Sequence, residues 1–588
     1  MLNIKNKIAS IVNAMQAKKY SQAEEIANQL VGTHPTSEIC WQYYAEILYL
    51  QGKLNQAIDA LRVLLKINNN NANAYYNLAI SFADLQRYSE AKSSCFHAIQ
   101  IVPNHAQAYA KLAQIYKQEG NKIEAEIAQN KVIEIALTKI VAIAPNLPGG
   151  HANLGVFYLK NGNLPSAIAS YRKALALDPT DQNVRSNLLF AMARSDEISQ
   201  LSYLNEARKW EEFSFANRDS KQSLIKIKPR AFIKKKKLRV GYVSGDFRQH
   251  VVSYFFTQII QWHEKSNVEL FAYVNNKEND FVTASLKTFF TTWREIQNLS
   301  DDDAVRVVRE DEIDVLIDLS GHTALNRLGI FARRAAPVQA HYLGYFASTG
   351  LSQMDYWIGD AILVPESEDA NFSEKVWRLP RLSVSYEGKD EVPLTQWRAL
   401  ESSDVCLGSF NDLSKITDAT LNLWSRVLHT LPQAKLLLKT EGLQAEENRD
   451  RIKQQMRSLG IESERLELYG KTESWQDHMV MYDKIDIALD PVGGQGGATT
   501  TCEALWMGVP VINIAGNKVG QRMTAALVNA LGHPEWTASS ESEYIEKIIN
   551  LAKNIELRKN LRPMQREKMK LSPICDARGL TRHLEEAY

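Results

Sequence analysis

Aromatic residues at Trp41, Tyr75 and Tyr109 are each 34 residues from the next, and a segment with that period cannot fold around a single central core. Its units must stack. Other positions keep the same register: Ala23, Ala57, Ala91 and Ala125; Ala45, Ala79 and Ala113; Leu78 and Leu112. Prolines close units at Pro35, Pro103, Pro145 and Pro179. Alanine suits a place where two helices approach closely, an aromatic fills the hollow opposite, and a unit this small buries its apolar face only on its neighbour. Pro103 to Pro145 exceeds the period by eight residues. Eight residues is about two helical turns, so a longer second helix keeps its buried face in phase there.

The period with its small, aromatic and proline positions is that of a tetratricopeptide repeat, two antiparallel helices per unit. About five repeats are expected from Ile4 to Asp181, an all-α superhelix. The last is the most regular, with Leu154, Gly155, Tyr158, Gly162, Ala167, Tyr171, Ala174 and Pro179. A helical cap is expected through about Asn217, in a cap and linker segment spanning 182–235. Such a superhelix holds an extended peptide or a partner protein, or serves as a spacer or as a surface for homodimerisation. The four asparagines Asn68 to Asn71 read as a turn between units.

At 588 residues the chain calls for three or four domain-sized units. A formal net charge of +1 gives no electrostatic case for nucleic acid or a membrane surface, so the partner has to be found in local chemistry. The five cysteines are scattered, without a CxxC pair or a zinc-like His/Cys spacing, as in buried thiols of a reducing compartment. No stretch approaches the ~18 consecutive apolar residues of a membrane helix, and the first twenty residues are amphipathic rather than signal-like. A cytoplasmic location is expected from these absences.

Beyond the repeats, short apolar runs alternate with helical patterns: LRVGYVS, VELFAYV, VLIDLSG, VQAHYLGY, VCLGSF, AKLLLKT, IDIALD and VPVINIAG. That alternation argues for parallel sheets covered on both faces, and the length allows two doubly wound domains. They are placed at 236–395 and 396–588, divided near Lys389 to Ser403, with a C-terminal helix at the end of the second. The lysines Lys234 to Lys237 stand directly before the first strand and read as its solvated entrance.

Ligands of such sheets lie beyond the carboxyl ends of the strands, so the residues there are the candidates. After IDIALD the chain reads PVGGQGGATTTCEALW, four glycines within Gly493 to Gly497 followed by Thr499, Thr500 and Thr501. Glycine lets backbone approach an anion, and the N–H groups opening the next helix point at it, the layout of a loop that cradles a diphosphate. Thr500 and Glu503 have capping-box spacing. Neither the GxxxxGK[ST] loop nor the complete GxGxxG fingerprint is present. Asp246 and His250 follow LRVGYVS; Gly321, His322 and Thr323 follow VLIDLS; Asn411, Asp412 and Lys415 follow VCLGSF; His478 precedes IDIALD. Two histidines and a lysine facing such a loop make a nucleotide-linked transfer site with a candidate base. The acids Asp301, Asp302 and Asp303 follow Ser300 and read as helix capping and dipole compensation.

The motifs GYVSGDFRQHVVSYFF, DLSGHTALNRLGIFARRAAPVQAHYLGY, FSEKVWRLP, GSFNDLSKIT and GGATTTCEALWMGVPVINIAG occur in this order. Together they resemble the O-linked N-acetylglucosamine transferase family, and HVVSYFF with GSFNDLSKIT is closer to its SPINDLY branch. The resemblance covers about Arg239 to Gly532, and the repeats in front match the family's architecture. It implies an α/β GT-B catalytic region of two Rossmann-like domains. It implies inverting transfer from UDP-N-acetylglucosamine or GDP-fucose to serine or threonine hydroxyls of proteins, with no bound metal and no cofactor beyond the nucleotide-sugar. Carried over by position, His250 is the base or an acceptor-side group and Lys415 holds the diphosphate. Asn411, Gly497, Thr499, Thr500 and Thr501 belong to the donor site, Glu503 to the ribose, and His478 lies close to the nucleotide. Tyr254, His322 and Tyr345 fall in the acceptor and sugar pocket. The chain departs from animal members at Ala498, where they carry histidine, and from the family at Phe346 and Ala347, which stand where it has a glycine/proline turn. An asparagine or glycan acceptor, or an inactive repeat scaffold, are the competing readings.

Overall fold

A computed structural model describes residues 2–214, 237–392, 394, 404–444 and 446–588, which form two compact units, Met1–Pro145 and Asn146–Tyr588. The lysines at 234–236 and most of the expected division between the catalytic domains lie outside the described residues.

The first unit is helical throughout: α1 (Leu2–Gln16), α2 (Tyr20–Thr33), α3 (Glu38–Leu50), α4 (Leu54–Ile67), α5 (Ala72–Asp84), α6 (Tyr88–Ile101), α7 (Ala106–Gln118) and α8 (Lys122–Ile143). The period reaches the backbone. Lys18, Gly52, Gln86 and Gly120, again 34 apart, all have positive φ between the paired helices, at 57°, 76°, 59° and 78°. This left-handed turn favours glycine, and the repeat imposes it on a lysine and a glutamine as well. Ala23, Ala57 and Ala91 are fully buried, as expected where two helices touch. The extra residues of the fourth unit lengthen α8 to 22 residues, against 14 in α2, α4 and α6.

The second unit opens with α9 (Pro148–Lys160), α10 (Leu164–Leu177), α11 (Gln182–Arg194) and α12 (Gln200–Ser214). Two parallel sheets follow. The first has β1 (Leu238–Ser244), β2 (Val268–Val274), β3 (Thr292–Glu295), β4 (Val315–Asp318), β5 (Val338–Tyr342), β6 (Tyr356–Asp360) and β7 (Lys375–Leu379), in the order β3-β2-β1-β4-β5-β6-β7. The second has β8 (Cys406–Ser409), β9 (Lys435–Lys439), β10 (Leu466–Tyr469), β11 (Ile487–Leu489), β12 (Val511–Ile514) and β13 (Thr537–Ala538), in the order β10-β9-β8-β11-β12-β13. Each reverses direction of winding beside its first strand, between β1 and β4 and between β8 and β11. That is where a doubly wound sheet opens a crevice at its carboxyl edge. β4 and β8 are buried along their whole length, as strands covered on both faces must be. The last helix, Ala577–Ala587, packs on the first sheet's side rather than with the second: Thr581 Oγ1 donates to Ile259 O at 3.0 Å, and the Tyr588 and Tyr242 hydroxyls lie 2.8 Å apart.

Candidate active site

The carboxyl edges of the two sheets enclose a cleft of about 620 Å³. Its walls carry Asp246 and His250 from beyond β1, His322 and Tyr345 from beyond β4 and β5, Asn411 and Lys415 from beyond β8, and Gly494 to Gly496 with Ala498 to Thr500 from beyond β11. Leu159 of α9 and Asn187, Phe190 and Arg194 of α11 line it as well. The last repeat and the cap are therefore part of the site's wall.

The glycine loop is organised by Asp490, a buried carboxylate just beyond β11. Its Oδ1 accepts the Gly497 N–H at 2.8 Å, Gly496 N–H donates to Gly520 O at 3.0 Å, and Thr524 Oγ1 donates to Gly497 O at 3.1 Å. Of the four glycines only Gly493 has positive φ, 76°. Packing requires two of the others: a Cβ on Gly497 would sit 2.6 Å from Thr501 Oγ1, and one on Gly496 would sit 2.8 Å from Asp490 Oδ2, whereas one on Gly494 would come no nearer than 3.6 Å to a neighbour. Burial pushes the Asp490 carboxyl up to about 6, against the opposing pull of Gly497, Thr524 and Lys415. Lys415 Nζ donates to Gly496 O at 3.0 Å. Burial in the cleft lowers its pKa, and the Asp490 carboxylate acts in the opposite direction.

The helix after the loop runs Thr499–Trp506, with Ala498 at its N-cap and no side-chain cap. The capping-box expectation for Thr500 and Glu503 is thereby corrected. Thr500 lies inside the first turn and its Oγ1 donates to Asn411 Oδ1 at 3.1 Å, so the helix's leading N–H groups are left to the cleft. Thr499 and Thr500 line the cleft, whereas the Thr501 hydroxyl is buried 3.0 Å from that of Thr524. Glu503 also turns inward. Its Oε2 is 3.0 Å from His478 Nε2 and accepts from Tyr482 OH at 3.4 Å, while His478 Nδ1 lies 2.6 Å from Lys439 Nζ. A single tautomer satisfies this chain, Nε2–H donating to Glu503 and Nδ1 accepting from the ammonium. Phe410 lies against Tyr482, ring centroids 4.2 Å apart. His478, Glu503 and Gly497 thus brace the cleft wall from behind and do not line the cavity.

His250 caps α13 (Val251–Ile260), where its Nδ1 accepts the Val252 N–H at 3.3 Å. The same nitrogen is 3.5 Å from Asp246 Oδ2. Asp246 is buried, which raises its pKa, with His250 and Arg248 pulling it down. His322 is different. Fully buried, it has Nε2 2.9 Å from Thr349 O and Nδ1 3.3 Å from Ser186 Oγ of α11. Desolvation drives its pKa down to about 4, so it is a neutral ring with both nitrogens occupied. Tyr345 is buried as well, its hydroxyl 2.9 Å from that of Tyr203 on α12. Tyr254 is about half exposed on α13 and is not part of the cavity wall.

Asp490, Lys439, Thr524 and Arg194 are the side chains that the sequence reading left out. The carboxylate directly after IDIAL was visible as an acid at a strand's carboxyl end, a position to interrogate in this fold. Nothing local marks Arg194, which ends a repeat-side helix far away in sequence.

The profile of glycosyl transferase family 41 matches this chain over residues 220–390 and 386–584, which takes in both sheets and every wall of the cleft except the repeat-side helices. The chain belongs to glycosyl transferase family 41. Tetratricopeptide profiles match 106–139 and 149–181, and that of anaphase-promoting complex subunit 3 matches 16–98. Among family 41 relatives, a probable UDP-N-acetylglucosamine–peptide N-acetylglucosaminyltransferase SPINDLY of Solanum lycopersicum is 33% identical over 426 residues, 70% of this chain and 44% of its own length. The protein named SEC of Arabidopsis thaliana is 28% identical over 366 residues, 60% of this chain and 37% of its own. The chain thus spans less than half the length of these relatives. The solved structure of a mutant O-GlcNAc transferase from Thermobaculum terrenum superposes with a TM-score of 0.71 at 30% identity, covering 88% of this chain and 97% of that one.

Proposed function

We propose that the chain is an inverting glycosyltransferase that moves a sugar from UDP-N-acetylglucosamine or GDP-fucose to serine or threonine hydroxyls of a protein or peptide engaged by the repeats. The observation that carries this reading is Lys415, fixed by Gly496 O at 3.0 Å beside an uncapped helix start, in a cleft that also holds His250. An ammonium has three N–H bonds, and one is used here, so two remain for a diphosphate. As the sugar–phosphate bond breaks through an oxocarbenium-like state, negative charge grows on the leaving group. Lys415 and the first N–H groups of Thr499–Trp506 oppose that charge from fixed positions.

His250 is assigned to the acceptor proton. With Nδ1 accepting from Val252, its hydrogen sits on Nε2; to act as a base it needs the other tautomer, in which Nδ1–H can donate to Asp246. The 3.5 Å separation places that partner one small ring rotation away, and Asp246 then favours the imidazolium formed by proton transfer. His322 has no free nitrogen for this role. The names of the family relatives favour a UDP-N-acetylglucosamine donor and a peptide acceptor, and the SPINDLY-like motifs keep GDP-fucose as the second donor to test.

A thermal-shift screen of the purified chain against UDP- and GDP-sugars tests the reading. One nucleotide family raises the midpoint by several degrees at millimolar concentration; stabilisation by none returns the scaffold reading. Intact-mass measurement on co-expressed proteins then identifies the added sugar, and peptide mapping the acceptor side chain.

A further inference from the structure

We propose that Arg194, the last residue of α11, binds the donor's diphosphate together with Lys415, so that the helical cap after the repeats supplies a donor-binding residue. The proposal rests on the glycosyltransferase reading above. Arg194 and Lys415 line the same cavity with Gly496, Thr499 and Thr500. The guanidinium carbon lies 4.4 Å from the centroid of the Phe190 ring, which holds its plane. Among the described residues its guanidinium makes no hydrogen bond or ion pair. The acid that acts on it, Asp412, already accepts from Ser414 N–H at 2.8 Å and from the Ser414 hydroxyl at 2.5 Å. A desolvated guanidinium with five N–H donors and no fixed acceptor is matched to a phosphate, which takes two parallel bonds from such a fork.

The charges around it point the same way. Arg194 and Lys415 are like charges that disfavour each other, and the Asp490 carboxylate just beyond β11 is engaged by Gly497. A multiply charged anion lying between the two cations relieves that repulsion, which a neutral hydroxyl acceptor does not. The position is also prepared in advance. Lys518 Nζ donates to the carbonyls of Ser195 and Met192 at the end of α11, and Gln521 Nε2 donates to Asp196 Oδ1 at 2.6 Å. The same segment holds the glycine loop through Gly520 O. Arg194 and the loop are thus fixed to one piece of backbone.

Titration calorimetry of the full chain with UDP and with GDP tests this in R194A, R194Q and R194K. The expected result is a ~10- to 100-fold rise in Kd for the preferred diphosphate in R194A and R194Q, the range of one charge-assisted bidentate contact, with R194K intermediate. Circular dichroism and the melting midpoint identify any variant that loses its fold, and R194Q and R194K retain the stem if R194A does not. Kd values within twofold of the parent in folded R194A or R194Q overturn the proposal, as does an effect confined to acceptor KM, which would assign Arg194 to an acidic acceptor. If the unaltered chain binds neither diphosphate, the glycosyltransferase reading itself fails, an outcome separate from the first two.

Discussion

Replacing Asp490 by asparagine separates the charge of this carboxylate from its shape. Oδ1 of asparagine can still accept the Gly497 N–H that Asp490 takes at 2.8 Å, while the charge disappears. Burial raises the carboxyl from an ordinary 3.8 to about 6. Holding that charge inside the protein above pH 6 therefore costs about 3 kcal/mol, at ~1.4 kcal/mol per tenfold change in proton affinity. The sign follows from proton counts. Between pH 4 and 6 the native state holds a proton that the unfolded chain has released, so this group's contribution to stability falls as pH rises through that window and stays low above it. Asparagine has no such slope. Its amide also needs an acceptor that the carboxylate did not, which offsets part of the gain, so D490N is expected to exceed the parent by about 1–2 kcal/mol at pH 8. Below pH 4 the advantage is absent. Urea unfolding followed by tryptophan fluorescence at several pH values from 4 to 8 gives the difference from paired midpoints, which cancels the slopes of titrating groups that do not interact with Asp490. A difference that does not change between pH 4 and 8, or a variant less stable than the parent at pH 8, refutes the reasoning.

Lys415→Ala should raise the Kd for the preferred nucleoside diphosphate by about 100-fold in calorimetry, since a unit charge at ~4 Å in a site of intermediate dielectric is worth a few kcal/mol, while circular dichroism stays unchanged. Unaltered affinity would remove Lys415 from the donor site. His250→Ala keeps donor binding and lowers the rate of sugar transfer by roughly 100-fold or more, measured by released nucleotide, with a loss of ~1 kcal/mol in stability from the missing helix cap. A normal rate assigns the proton to another group. Gly155→Ala drives a methyl to 2.5 Å from Cε1 of the fully buried Tyr171; overpacking of ~2–3 kcal/mol outweighs the ~1 kcal/mol of helix propensity gained, so the melting midpoint falls by several degrees.

What could be read in the sequence follows from whether the signal was local. The helix pairs were legible because their spacing recurs, and the eight extra residues before Pro145 translate directly into the longer α8. Eight strands stood out as apolar runs bounded by turn residues. Five did not: β3 (TWRE) and β7 (KVWRL) carry charged, exposed residues, β6 (YWIGD) and β10 (LELY) are short and mixed, and β13 has two residues. In the site, Lys415, Asn411, Thr499 and Thr500 line the cleft because they follow strands at the edge where the sheets open. Thr501, His478 and Glu503 sit in the same motifs yet turn into the protein, since the face a side chain takes on a short helix depends on where that helix starts. Thr500 and Glu503 had the spacing of a cap, but Ala498 takes the cap position and Asn411, 89 residues away in the chain, takes the hydroxyl. Arg194 could not be found at all without the fold, because only the packing of α11 against the loop Lys518–Gln521 brings it to the cleft.

Asp490 also sets a limit on how the site can be tuned. Its carboxylate positions Gly497 and, ahead of Asp412, favours the charge on Lys415 in a setting where burial works against that charge. Protonating it as pH falls through about 6 stabilises the fold by the argument above. It also takes from Lys415 the charge that supports the ammonium. On the proposed reading an incoming diphosphate replaces that support with its own negative charge, so donor binding and Asp490 protonation favour each other, and by linkage the bound donor raises the carboxyl's proton affinity further. D490N mimics the protonated state at every pH. It should therefore bind the nucleoside diphosphate at least as tightly as the parent at pH 8, and the affinity advantage should vanish near pH 5, where the parent carries the proton too. Weaker binding by D490N at pH 8 would mean that the geometry Asp490 imposes on the glycine loop, rather than its charge, is what the donor site requires.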